Sequence, residues 1–204
     1  MRFFILLILL FSFSCSSKRP ANRVVTKPPI RTKAQWGGKP ANGTKPEQTI
    51  SKITIHHGGV FVATKEDPKE YMRKLQNFST DEKHWIDIPY HFCIDLDGRI
   101  YEARDLKYAG DTNTEYDPNG HALICVIGNY EEQKLSPFQL AAVVRLSAWL
   151  AYKYHLSPAD IAGHKDYSKM TVCPGKDLYR YLEDGTIKKR VSNLLYGLDE
   201  TIKK

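Results

Sequence analysis

Apolar positions change period several times along this chain, and each change marks a structural element. In residues 50–57 Ile53, Ile55 and His57 alternate with Thr54 and His56, the period of two that predicts a β-strand. Residues 67–78 space Tyr71, Met72, Leu75 and Phe78 for one face of a helix. Residues 90–96 and 99–102 read as two strands joined by Asp97-Gly98, a dipeptide whose tolerance of positive φ suits a tight hairpin. Residues 122–127 are almost continuously apolar, the pattern of a strand buried on both faces beside the first one.

The longest helix opens at Ser136-Pro137, with serine as N-cap and proline at the first helical position. Its stripe is Leu140, Val143, Val144, Ser147, Leu150 and Ala151. Residues 159–163 suit a short last strand. The tail over 177–198, with Leu178, Tyr181, Leu182, Ile187, Val191, Leu194 and Leu195, predicts one or two more helices. Strands interleaved with helices, and one hairpin breaking the parallel pattern, place the chain in the α/β class with a mixed central β-sheet flanked by helices. A length of 204 residues at 42% hydrophobic content gives material for one packed domain.

Residues 1–14 hold one basic residue, Arg2, and then a short apolar run, the pattern of a signal peptide and of export. Cys15 follows, which suggests lipidation of its thiol and a membrane anchor. Ser12 occupies the usual aliphatic slot of that motif and Phe13 a small one, so plain secretion stays open. Residues 15–30 are rich in Lys, Arg, Pro and Ser and read as a flexible tether, leaving 31–204 as the folded domain with its helical tail. The net charge is +7, or +6 once Arg2 leaves with the leader, which suits an anionic polymer as partner. Basic residues are scattered apart from Lys188-Lys189-Arg190 and Lys203-Lys204, a distribution that argues against nucleic acid.

Beyond Cys15 lie Cys93, Cys125 and Cys173, an odd number that cannot all pair internally. Cys93 and Cys125 each fall in a predicted strand, as a disulfide or as two small buried residues. Strand parity separates the adjacent histidines: His57 shares the aliphatic face, while His56 points the other way at the C-terminal end of its strand, where open α/β sheets place ligand sites. The loop over 163–175 brings His164 and Cys173 into one turn. On its own it reads equally as an ordinary surface turn. Taken with His56, it offers three nitrogen and sulfur donors and one open tetrahedral position, the pattern of a catalytic zinc.

The motifs Ala34-Gln35-Trp36-Gly37-Gly38, Ile53-Thr54-Ile55-His56-His57, Ile88-Pro89-Tyr90-His91-Phe92 and Asp97-Gly98-Arg99-Ile100-Tyr101-Glu102 continue in order through Gly128-Asn129-Tyr130 to Gly163-His164-Lys165-Asp166 and Cys173-Pro174-Gly175. In that order, from about Arg31 to Tyr179, the chain resembles the type 2 N-acetylmuramoyl-L-alanine amidases, a family that includes phage lysozyme-like amidases and animal peptidoglycan recognition proteins.

The resemblance implies an amidase/peptidoglycan recognition protein-like single domain, one Zn2+ ion held by His56, His164 and Cys173, and hydrolysis of the amide between the lactyl group of N-acetylmuramic acid and L-alanine. Tyr90 and Thr171 map to positions that serve the reacting amide. Asp111 and Arg104 are expected to contact substrate. Asp111 stands in Ala109-Gly110-Asp111 where relatives often read Gly-Ala-His, and His84 precedes Trp85 where Gly is common. His84, His91, His121 and His155 are expected in surface or structural roles. The expected partners are peptidoglycan or muropeptides and, through Cys15, the membrane of a bacterial envelope, the protein being a periplasmic or outer-membrane lipoprotein or else secreted, and a monomer. The competing implication is a non-catalytic receptor that binds peptidoglycan on the same fold.

Overall fold

A computed structural model describes residues 23–63 and 66–197. The expected signal peptide, Cys15 and the first part of the expected tether lie outside the described residues. The described chain runs β1 (Ile30–Arg31), α1 (Lys33–Trp36), β2 (Lys52–His57), α2 (Pro68–Asn77), β3 (Phe92–Ile94), β4 (Ile100–Glu102), β5 (His121–Val126), α3 (Pro137–Tyr154), β6 (Ile161–Gly163), α4 (Lys176–Glu183) and α5 (Thr186–Tyr196). No helix among the described residues is long and apolar enough to cross a membrane.

The strands form one six-stranded sheet in the order β1-β4-β3-β5-β2-β6. β3 and β4 are antiparallel and every other neighbouring pair is parallel. The mixed sheet therefore owes its single antiparallel step to the hairpin at Asp97-Gly98, where Gly98 adopts φ 77°. β5 lies between β3 and β2 with all six of its residues buried, which is why its run is apolar without alternation.

Two layers cover the sheet. Ile53 and Ile55 of β2, Ala122, Ile124 and Val126 of β5, and Phe92 and Ile94 of β3 pack with the apolar residues of α3, α4 and α5 in one cluster. α3 begins as expected, Ser136 accepting the Gln139 N–H at 3.1 Å and Pro137 opening the helix. Its buried stripe is wider than predicted, because Ala142, Leu146 and Ala148 are also enclosed; α5 covers the second flank with Ile187, Val191 and Leu195. The opposite face carries Cys93, Tyr101, Cys125 and Ile127 under Trp36 of α1 and Met72 of α2.

β1 and α1 have no counterpart in the predicted elements, being too short to show a period. Residues 23–30, expected as tether, lie along the domain: Arg23 N–H donates to the Leu195 carbonyl at 2.6 Å, and Val25 packs against the core. Cys93 and Cys125 are free, buried, and directly opposed on neighbouring strands.

Candidate metal centre

β2 turns its alternate residues to opposite layers, so His56 faces the thinly covered side of the sheet. β6 pairs with β2 as far as Ile55↔Gly163, which places His164, the next residue, beside His56. Their rings lie 4.5 Å apart, centroid to centroid. The chain then loops back through Thr171 to Cys173, whose Sγ is 3.6 Å from His56 Nδ1. One donor atom from each of His56, His164 and Cys173 falls within 4.8 Å of the others, and all three residues are buried.

His57 occupies the other side of the strand, as parity predicted. Its Nδ1 accepts the Tyr130 N–H at 3.2 Å, while its own backbone N–H donates to Cys173 Sγ at 3.3 Å. Gly58 makes room for a close approach, since a Cβ there would lie 2.3 Å from the Tyr71 hydroxyl and displace that side chain.

Burial governs the titration of the cluster. It holds His56 well below the ordinary imidazole value, helped by His164, and lowers His164 to about 4. The same desolvation pushes the Cys173 thiol up to about 12 against the pull of the His57 N–H. Both imidazoles are therefore neutral at neutral pH, each with one nitrogen lone pair available.

The cluster floors a cleft of about 300 Å³ whose walls include Phe78, Trp85, Tyr90, Asp111, Thr114 and Thr171. A larger hollow of about 620 Å³, between Phe61, Tyr71 and Gln139, contains none of the three donors. Phe78 and Ser79 reach the cleft from a single turn of π-helix, Phe78–Glu82, that extends α2.

Tyr90 lies just before β3, with its ring centroid 5.1 Å from that of His56, and burial raises its hydroxyl well above the usual phenol range. Strand alternation would place Tyr90 with Phe92 and Ile94 in the core, but the strand begins only at Phe92, which frees Tyr90 to line the cleft. Thr171 also lines the cleft, and its Oγ1 accepts the Cys173 N–H at 3.0 Å.

Asp111 reaches the cleft wall, but its carboxylate is already bonded to Lys45 and Arg104. Arg104 differs from expectation. Its side chain is fully enclosed and donates to the carbonyls of Ile88, Ala109 and Asp87 as well as to Asp111 at 2.5 Å. It presents nothing to a ligand and instead holds the segment that ends in Asp111.

His91 and His121 are buried in hydrogen bonds to Leu123 N–H and the Thr54 hydroxyl respectively, His84 is exposed, and His155 caps α3, so none of them joins the donor cluster. The sequence reading missed Thr112, Thr114 and Tyr116. Thr114 Oγ1 lies 2.8 Å from His164 Nε2, and the Tyr116 hydroxyl 3.4 Å from His56 Nε2. No periodicity marks them, and only their place in a polar loop after Asp111 hinted at the cleft.

The N-acetylmuramoyl-L-alanine amidase family model matches residues 46–176, a span that holds all three donors. Peptidoglycan-recognition protein SC1a of Drosophila melanogaster is 32% identical over 153 residues, covering 74% of this chain and 82% of the relative. The crystal structure of peptidoglycan recognition protein SD from Drosophila superposes with TM-score 0.69 at 30% identity, over 77% of this chain and 94% of that one. The N-acetylmuramoyl-L-alanine amidase LysC from Clostridium intestinale superposes with TM-score 0.65 at 25% identity, over 78% and 97%. Matched span, sheet order and identity agree, and the chain belongs to the N-acetylmuramoyl-L-alanine amidase family, which also takes in the peptidoglycan recognition proteins.

Proposed function

We propose that this protein is a zinc-dependent N-acetylmuramoyl-L-alanine amidase, hydrolysing the amide between the lactyl group of N-acetylmuramic acid and the L-alanine that opens the peptidoglycan stem peptide. The observation that carries this reading is the convergence of His56, His164 and Cys173 on the floor of a cleft. The donor set fits zinc. Two imidazoles stay neutral, and a sulfur whose proton is held up to about 12 gives it up only to a compensating cation, with the His57 N–H already directed at it. Three protein donors leave one position for water or substrate, as catalytic zinc sites do. A bound zinc supplies Lewis acidity toward the scissile carbonyl and brings the pKa of water toward about 7.

The chain's own groups account for the rest. Burial keeps Tyr90 protonated at neutral pH, so its hydroxyl donates to the carbonyl oxygen as negative charge develops there. Thr171 Oγ1 accepts from Cys173 N–H, which leaves its own proton to donate to the same oxygen. The departing L-alanine nitrogen needs a proton, which the attacking water gives up as it bonds to the carbonyl carbon; we assign its relay to the Tyr90 hydroxyl, which passes its own proton to the nitrogen and takes up the one from water, ending protonated as it began. Asp111 is the one carboxylate among the described residues lining the cleft, and its two oxygens are already engaged by Lys45 and Arg104.

A second reading, a receptor that binds peptidoglycan without cleaving it, is favoured by the recognition proteins among the relatives. The experiment that separates the two is zinc analysis together with mass spectrometry of muropeptides from purified sacculi, using wild type and Cys173→Ala. Zinc and free stem peptides are expected from wild type and neither from the variant. Free peptides from both proteins, or from neither, would overturn the zinc amidase. We further propose that the protein is a monomer held at the bacterial envelope by lipid on Cys15. Intact mass of the processed protein, with and without globomycin, distinguishes that from plain secretion.

A further inference from the structure

We infer that residues 112–116 form a clamp that sets the ring orientation and tautomer of both metal-binding histidines, with Thr114 and Tyr116 as its positioning residues. The inference rests on the zinc reading above.

A neutral imidazole carries one N–H, and the partner of that N–H decides which nitrogen keeps the lone pair. At His56 the Nδ1 faces Cys173 Sγ at 3.6 Å and the Nε2 faces the Tyr116 hydroxyl at 3.4 Å. At His164 the Nε2 faces Thr114 Oγ1 at 2.8 Å and Thr112 Oγ1 at 3.5 Å. Both rings thus find an oxygen at Nε2; with that oxygen accepting, the proton sits on Nε2 and Nδ1 keeps the lone pair for the metal.

The threonine pair allows Thr114 to accept from His164. Thr112 Oγ1 takes the Thr114 N–H at 3.2 Å and lies 2.9 Å from Thr114 Oγ1. A Thr114 hydroxyl proton directed to Thr112 leaves its lone pairs for His164. Tyr116 is 8% exposed and its ring stacks on Tyr167 at 5.7 Å, so the phenol is not free to swing away.

The residue between them ties the loop down. The Glu115 carboxylate accepts the Ser168 hydroxyl at 2.6 Å and the Lys169 N–H at 3.1 Å, within the segment that joins His164 to Cys173. One loop therefore contacts two donors directly and is stitched to the stretch that carries the third. Groups of this kind, bonded to the far nitrogen of a ligand histidine, alter metal affinity by roughly tenfold to a hundredfold when removed.

The test measures the zinc dissociation constant by chelator competition, the absorption of the cobalt-substituted protein and the melting of the apoprotein, for wild type, Thr114→Val, Thr114→Ser and Tyr116→Phe. Thr114→Val is expected to bind zinc about tenfold to a hundredfold more weakly with a shifted cobalt spectrum. Thr114→Ser should restore both, and Tyr116→Phe should show a smaller loss at its longer contact. Apoprotein melting should stay at the wild-type temperature in all three. Wild-type affinity and spectrum in both Thr114→Val and Tyr116→Phe, or a loss that follows apoprotein melting and is not rescued by serine, overturns the clamp. Absence of zinc binding by wild type overturns the zinc reading itself, and is read before any variant is compared.

Discussion

On one face of the sheet Ile53, Ile55, Ile124 and Val126 disappear under α3, α4 and α5. On the other, Tyr101, Cys93, Cys125 and His56 stand in register across four strands, and the row ends in the cleft. The same backbone alternation produces both rows. Cover makes the difference: three helices enclose the first face, whereas α1 and α2 cover the second and leave the C-terminal end of β2 bare. Groups on the enclosed face need only shape. Polar groups on the open face each need a named partner, because desolvation without one is costly. Thr54 and His121 hold each other at 2.7 Å, and Asp87 is shared by Lys33 and Gln76.

The sharpest way to break this division is to remove function from the open face without disturbing the fold. Tyr90→Phe deletes one hydroxyl in the cleft and no packing volume. Loss of one donor to a developing oxyanion costs about a hundredfold to a thousandfold in rate. The expected outcome is a fall in kcat of that size on muropeptide, with zinc content and melting temperature as in wild type. An unchanged kcat would return Tyr90 to the packing role that its position next to β3 also allowed.

The enclosed face should respond in the opposite way. Leu146 is fully buried in α3, and Leu146→Ala is expected to cost about 2–5 kcal/mol in chemical denaturation. Zinc affinity should be unchanged, since none of the donors touches that layer. A loss of zinc affinity as large as the loss of stability would show that the two faces are not energetically separate.

These contrasts also explain what was legible in the sequence. Period-two alternation told His56 from His57 because the strand obeys it strictly, and the apolar run at β5 announced its central place. Loops carry no period, so Thr114 and Tyr116 went unmarked although they touch His164 and His56. Arg104 was expected to contact substrate, and nothing in the sequence pattern around it distinguishes a ligand-facing arginine from an internal one. Only the three carbonyls gathered around its guanidinium reveal that it is an internal brace. The packing of residues 23–30 was hidden for a related reason, since a Pro- and Lys-rich segment can lie on a domain through a few contacts without any hydrophobic repeat.

Acid should separate the faces next. His91 Nδ1 accepts the Leu123 N–H at 2.8 Å and its Nε2 donates to the Tyr108 carbonyl at 2.9 Å, a set of bonds that only the neutral ring can make. Burial lowers its pKa to about 4. In the unfolded chain the value is the ordinary 6.5, so between those limits the unfolded state takes up a proton that the folded state refuses. Stability is then complete above pH 6.5 and declines as the pH falls toward 4, by about 3 kcal/mol from this residue. Urea unfolding of wild type and His91→Gln at neutral pH and near pH 4 measures it. The variant should lose less stability on acidification, and an equal loss in both would place the acid sensitivity elsewhere.

The smallest effect belongs to the enclosed face and has the opposite sign. Ser147 sits in the buried stripe of α3, and its hydroxyl is the one buried side-chain polar atom among the described residues without a hydrogen-bond partner. A hydroxyl hydrated in the unfolded chain and bare in the folded one opposes folding by about 1–3 kcal/mol. Ser147→Ala removes that penalty and adds the best helix former, at the cost of a void no larger than one oxygen. The expected result is a gain of about 1 kcal/mol in the unfolding free energy, with zinc affinity and turnover unchanged. A loss of stability instead would mean that the hydroxyl has a partner in solution, and that the enclosed face, too, depends on a polar contact.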